Sequence, residues 1–131
     1  MELAIKIQSI IKNIGQVEFF FNSLFKEFRF SRKTYCRIYL SCTEAVNNAI
    51  IHGNKANSER FVKISFEDKP SFFLVKIEDE GLGFDYNMVP DPRIPANIGK
   101  ESGRGIFIMK EYADKVIFEN NGASVLLIFN K

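Results

Sequence analysis

At 131 residues the chain is the length of one domain, able to bury roughly two-thirds of its unfolded surface without disulfide or metal staples. Hydrophobic residues are 46% and charged residues 26%, an ordinary globular mix, and 14 Phe with no Trp point to an aromatic core. A net charge of +2 with no Lys/Arg run argues against a nucleic-acid partner, and no apolar run approaches a membrane span.

In chain order, Leu3, Ile5 and Ile7 alternate with Ala4, Lys6 and Gln8, the pattern of a first strand. Met1-Glu-Leu-Ala4 lacks the basic opening of a signal peptide. Asn13 is placed to cap a helix in which Ile14, Val17, Phe21, Leu24 and Phe28 form the apolar stripe. Phe19, Phe20 and Phe25 widen that stripe, which reads first as packing and second as a partner surface. Ser31 is expected to cap a second helix running to about Ile51, with Gly53 as its C′ residue. Cys36 and Cys42 fall six residues apart on this helix, about 9 Å between Cα atoms and too far to bridge. Both read as reduced core thiols of a cytoplasmic protein.

Asn54 to Arg60 is a polar connector. Phe61–Glu67 and Phe72–Asp79 read as strands paired through the turn Asp68-Lys-Pro-Ser71. The second strand runs into Asp79-Glu-Gly81-Leu-Gly83. Asp85 to Ser102 then carries three prolines and little periodicity, the mark of a functional loop or lid. Gly103-Arg104-Gly105 opens a short helix with Ile106, Met109 and Ala113 inward. Lys115–Glu119 and Ala123–Phe129 are two strands joined through Asn120-Asn-Gly122. The expected order is β-α-α-β-β-lid-α-β-β in one domain spanning 1–131, without repeats.

Three polar clusters carry the chemistry. Glu44, Asn48 and His52 recur every four residues on a mostly apolar helix and therefore share a face. That stripe faces either solvent or a polar ligand, and a metal-bound phosphate fits the second case. Asp79-x-Gly81-x-Gly83 offers an acceptor and close backbone approach to a flat ligand, although the same pattern is also an ordinary turn. Gly103-Arg104-Gly105 is an anion site at a helix start, or simply a helix start. Asn48 offers Mg²⁺ an oxygen, and Glu44, one turn away, offers a proton acceptor. A P-loop is excluded, because Gly-x-x-x-x-Gly-Lys-Ser/Thr is absent.

Taken jointly, Glu44-Ala-Val-Asn-Asn48-Ala-Ile-Ile-His52-Gly53, Asp79-x-Gly81-x-Gly83 and Gly103-Arg-Gly-Ile-Phe-Ile-Met109 resemble the boxes of the Bergerat-fold, histidine kinase-like ATPases. Within that superfamily the chain looks most like the compact bacterial anti-sigma factor serine/threonine-protein kinases. The resemblance covers about Ile5 to Phe129. It implies an α+β, two-layer sandwich with a mixed, mostly antiparallel sheet and helices on one face. It implies Mg²⁺ and ATP as cofactors, with Asn48 on the metal and Glu44 as general base. It places Asp79 on the adenine amino group, Gly81 and Gly83 around adenine, and Gly103, Arg104 and Gly105 on the phosphates. Lys100 is a further cation for the phosphates, and His52 stands beside the first box without a clear role. The implied partners are a sigma factor, an anti-anti-sigma antagonist phosphorylated on serine, and a second copy of the chain. A nucleotide-gated binding switch without kinase activity is the alternative, followed by a switch acting outside transcription and by a domain that binds no nucleotide. One departure stands out: Ala123 occupies the place where many relatives carry Thr, and Ser124 beside it faces the other way in a strand.

Overall fold

The computed structural model describes residues 2–82, 93 and 104–131. The elements are β1 (Glu2–Gln8), α1 (Ile14–Phe28), α2 (Arg32–Asn48), β2 (Phe61–Asp68), β3 (Phe72–Glu78), α3 (Arg104–Tyr112), β4 (Lys115–Glu119) and β5 (Ser124–Asn130). The strands form one sheet in the order β1-β2-β3-β5-β4. Among the described residues all four pairings are antiparallel, so the sheet expected to be mostly antiparallel is wholly so there. Each connection within it is either a tight hairpin or a long excursion that brings the chain back in the opposite direction.

Period-two alternation sorts each strand into two faces. On the inner face Ile5, Ile64, Ile77, Val125 and Phe118 stand in one cross-strand row, and Leu3, Phe66, Val75, Leu127 and Val116 in the next. On the outer face the corresponding rows carry Lys63, Ser65, Lys76, Glu78 and Leu126. The helices cover the inner face, with α2 packed on α1, α3, β3 and β5. Ile38, Cys42, Ala45 and Val46 give α2 its buried side. Val17, Phe20, Phe21 and Leu24 do the same for α1. A Phe cluster closes the far end, where Phe30 meets Phe73 edge-on at 4.7 Å between ring centroids and Phe28 stands 5.1 Å from Phe66.

Several local expectations change. Asn13 makes no side-chain cap; its amide donates to the Gln8 carbonyl instead, at 3.0 Å. Ser31 does cap α2, accepting the Thr34 N–H at 3.1 Å. Of the extra phenylalanines on α1, Phe20 is core and Phe25 packs on Tyr35, so only Phe19, 76% exposed, remains as surface. Cys42 is buried, but Cys36 is exposed, because six residues advance the helix by a third of a turn short of two. The β4–β5 connection takes four residues. Asn120, Asn121 and Gly122 are all left-handed, at φ 52°, 58° and 95°, which Asn and Gly tolerate best. Among the described residues no helix is long and apolar enough to cross a membrane. The expected lid falls outside the described residues except for Arg93, whose guanidinium stands 4.9 Å over the Phe107 ring of α3.

Candidate functional site

The site forms where the C-terminal end of α2 meets the end of β3 and the start of α3. After Asn48 the helix widens into one π-helical turn, Ala49–Gly53. Its closing bond is Asn54 N–H to the Ala49 carbonyl at 2.8 Å. Such a turn adds a residue between successive levels of the helix and is frequent at functional sites. His52 lies within this turn. His52 is exposed and does not line the hollow described below.

Gly53 is not a left-handed cap, since the only described glycine with positive φ is Gly122. Its reason is proximity. A Cβ at Gly53 would lie 2.2 Å from Asp79 Oδ2, and a Cβ at Gly81 would lie 2.0 Å from the Gly53 carbonyl oxygen. Two bare backbones thus press the Asp79 turn onto the end of α2. Within the turn Asp79 Oδ1 accepts the Gly81 N–H at 2.7 Å, and the Asp79 N–H donates to the Ala123 carbonyl at 2.9 Å. Burial pushes the Asp79 carboxyl above its ordinary range, against the pull of the Gly81 N–H and the Arg60 charge. No donor among the described residues meets Asp79 Oδ2.

Asn48 and Asp79 line the same hollow, floored by Ile77 and Val125 and walled by Met109, Phe118 and Ala123. In this conformation the space between them is about 20 Å³, room for one water molecule. Ala123 faces into it, and Ser124 does not; the Ser124 hydroxyl instead accepts from the Asn120 amide at 3.2 Å.

The start of α3 closes the other side. A Cβ on buried Gly105 would stand 3.2 Å from a Glu44 carboxylate oxygen and 3.3 Å from Asn48 Oδ1. The backbone of α3 therefore lies directly on the two half-buried polar residues of α2. Arg104, one residue earlier, is exposed. Of the sequence-predicted residues, Glu44, Asn48 and Gly105 come together at one end, and Asn48, Asp79 and Gly81 at the other. Gly83, Lys100 and Gly103 lie outside the described residues. Among the described residues no cluster of His, Cys, Asp and Glu could hold a metal by itself.

Two contributors carry little signal in the sequence, where Gly53 reads as a helix stop and Asn54 as part of a polar connector. Asn54 is in fact fully buried and hydrogen-bonded on every side. No periodicity distinguishes an asparagine that turns inward after a helix end, so only its position directly after Gly53 was a signal.

A family model described as a histidine kinase-like ATPase domain matches residues 8–129. The chain belongs to that family. Among curated proteins it is similar to the serine-protein kinase RsbW of Staphylococcus epidermidis, 29% identical over 97 residues covering 68% of this chain and 61% of that protein. It is also similar to the anti-sigma F factor of Bacillus cereus, 38% identical over 76 residues covering 56% of this chain and 52% of that protein. The chain thus aligns with only a little over half the length of these relatives. The α+β fold described above, an antiparallel sheet with helices on one face, is consistent with that family.

Proposed function

We propose that this chain is an anti-sigma regulatory factor that binds ATP with Mg²⁺ and phosphorylates a serine of an antagonist protein. The observation that carries the reading is the convergence of Asn48 and Asp79 on one hollow, with Gly105 laid against Glu44 and Asn48. Asp79 Oδ2 is the acceptor for the adenine amino group, and Gly81 keeps the turn close enough to present it. The narrow hollow widens for a purine by movement of Met109, an unbranched side chain that repacks easily. The N-terminal backbone of α3 with Gly103, Arg104 and Gly105 takes the phosphates, helped by Lys100.

Asn48 suits Mg²⁺ as a single amide oxygen, because this ion is ordinarily held by one or two protein oxygens together with phosphates and water. When bound, the ion supplies neutralisation of phosphate charge. Glu44 accepts the proton of the serine hydroxyl while that oxygen bonds to the γ-phosphorus and the bond to the leaving ADP oxygen breaks. This division of labour suits a reaction that needs positioning and charge balance more than covalent help.

The names of the relatives, a serine-protein kinase and an anti-sigma factor, support a sigma factor as one partner and a protein serine as the phosphate acceptor, here placed on an antagonist protein. The protein works in the cytoplasm as a homodimer, without nucleic acid or membrane. The test is direct. Calorimetry with ATP, in the presence and absence of Mg²⁺, should give magnesium-dependent binding. Incubation with labelled ATP and a candidate antagonist protein should give phosphoserine. Binding without phosphoserine would leave a nucleotide-gated switch, and no binding would remove both.

A further inference from the structure

We propose that Asn54 is the positioning residue that holds the Asp79 turn opposite Asn48. The inference rests on the reading of Asp79 as adenine acceptor only for its nucleotide arm. Asn54 follows the π-helical turn at the end of α2 and is completely buried. Its Oδ1 accepts the Glu80 N–H at 2.7 Å. Its Nδ2 donates to Ser9 Oγ at 2.6 Å and to the Phe61 carbonyl at 2.9 Å. One amide therefore ties together the end of α2, the segment after β1, the start of β2 and the turn after β3. Glu80 adds a second strut from the same turn, its Oε2 accepting the Phe61 N–H at 2.7 Å.

The geometry explains why this amide matters at the hollow. Glu80 lies between Asp79 and Gly81, and Gly81 donates back to Asp79 Oδ1. Fixing the Glu80 N–H therefore fixes the backbone on both sides of it. The opposing surface is Gly53, whose backbone already stands closer to the turn than any side chain would permit. The Asn54–Glu80 bond holds the turn there, together with the Glu80–Phe61 bond and the Asp79 N–H on the Ala123 carbonyl. A fully satisfied buried amide is also a discriminating tether, because an apolar replacement strands one donor, one hydroxyl and one carbonyl away from water.

The test uses the full chain with Asn54→Ala, and Ser9→Ala as a milder variant that removes one Asn54 partner far from the hollow. The ligand-free arm is amide hydrogen exchange. In Asn54→Ala the Gly81 N–H should exchange at least tenfold faster, while the Val75 and Leu127 amides in the centre of the sheet stay as slow as in wild type. Ser9→Ala should shift Gly81 in the same direction and by less. If Gly81 keeps its protection in either folded variant, or if the central amides accelerate equally, the positioning role is refuted.

The nucleotide arm compares ATP with purine riboside triphosphate, which lacks the 6-amino group. A hydrogen bond to a carboxylate predicts roughly tenfold or greater preference for ATP in wild type. That preference should fall to within about threefold in Asn54→Ala and by less in Ser9→Ala, with affinity for the analogue little changed. A uniform loss of both ligands would indicate general unfolding and overturn the proposal. No preference in wild type would instead overturn the adenine role of Asp79, while the exchange arm still decides whether Asn54 holds the turn.

Discussion

Replacing Gly81 by Ala tests the close packing around the hollow most sharply. The added Cβ would stand 2.0 Å from the Gly53 carbonyl oxygen and 2.6 Å from its carbon. Both are backbone atoms at the end of a buried helix, so no side chain can rotate out of the way. The turn must retreat by about 1.4 Å to reach ordinary contact. Overpacking of this kind costs about 1–3 kcal/mol, and the rigid neighbour favours the upper end. The retreat carries Asp79 with it, because Gly81 N–H and Asp79 Oδ1 are bonded. Losing one hydrogen bond to a carboxylate lowers ATP affinity by a further factor of about 10–100. Urea denaturation and calorimetric ATP titration read the two effects separately. Gly15→Ala is the control, since a Cβ at this exposed position of α1 meets nothing within 4 Å, and it should leave stability equal or slightly raised. If Gly81→Ala matched wild type within about 0.5 kcal/mol and kept its ATP affinity, the close-approach reasoning would be wrong.

Three other expectations follow from the same geometry. Glu44→Ala should bind ATP within a few-fold of wild type and lose phosphotransfer by at least about a hundredfold; equal loss of both would make Glu44 structural. Asp79 has a folded pKa raised above the ordinary 3.8, so the native chain holds its proton more tightly than the unfolded chain. Stability therefore falls as pH rises through that window, and the ionised carboxylate is a standing cost at neutral pH. Asp79→Asn, which retains an acceptor for the Gly81 N–H, should melt higher than wild type at pH 7 while losing ATP; a lower melting temperature would contradict this. Asp114 behaves oppositely. The Asn130 N–H, at 2.7 Å, and the Arg37 guanidinium, at 2.8 Å, hold its carboxyl below the ordinary value. Its stabilisation is present above the ordinary carboxylate range and disappears as pH falls through the lowered value. Asp114→Asn should thus be less stable than wild type at pH 7, with the gap closing near the acid limit of a pH series of thermal melts.

Much of this protein was legible without its structure. Leu3, Ile5 and Ile7 in alternation, the α1 stripe through Val17, Phe21 and Leu24, and Ser31 as a cap are local signals, written in periods of two and 3.6 residues. The element order and the composition of the three polar boxes follow from the same reading, which is why the family was recognisable. What the sequence did not carry is how far each polar residue turns. Glu44, Asn48 and His52 share a spacing, yet Glu44 and Asn48 are half-buried while His52, inside the π-helical turn, is exposed, and hydrogen-bond registry within a helix end depends on what packs against it. Gly53 and Gly81 look alike as punctuation, and only the approach of β3 to α2 shows that each exists to let the other's backbone near. Asn54 is the extreme case. A polar residue in a polar connector is exposed by default, and its burial was decided by three groups, the Ser9 hydroxyl, the Phe61 carbonyl and the Glu80 N–H, that each share a hydrogen bond with it at one point.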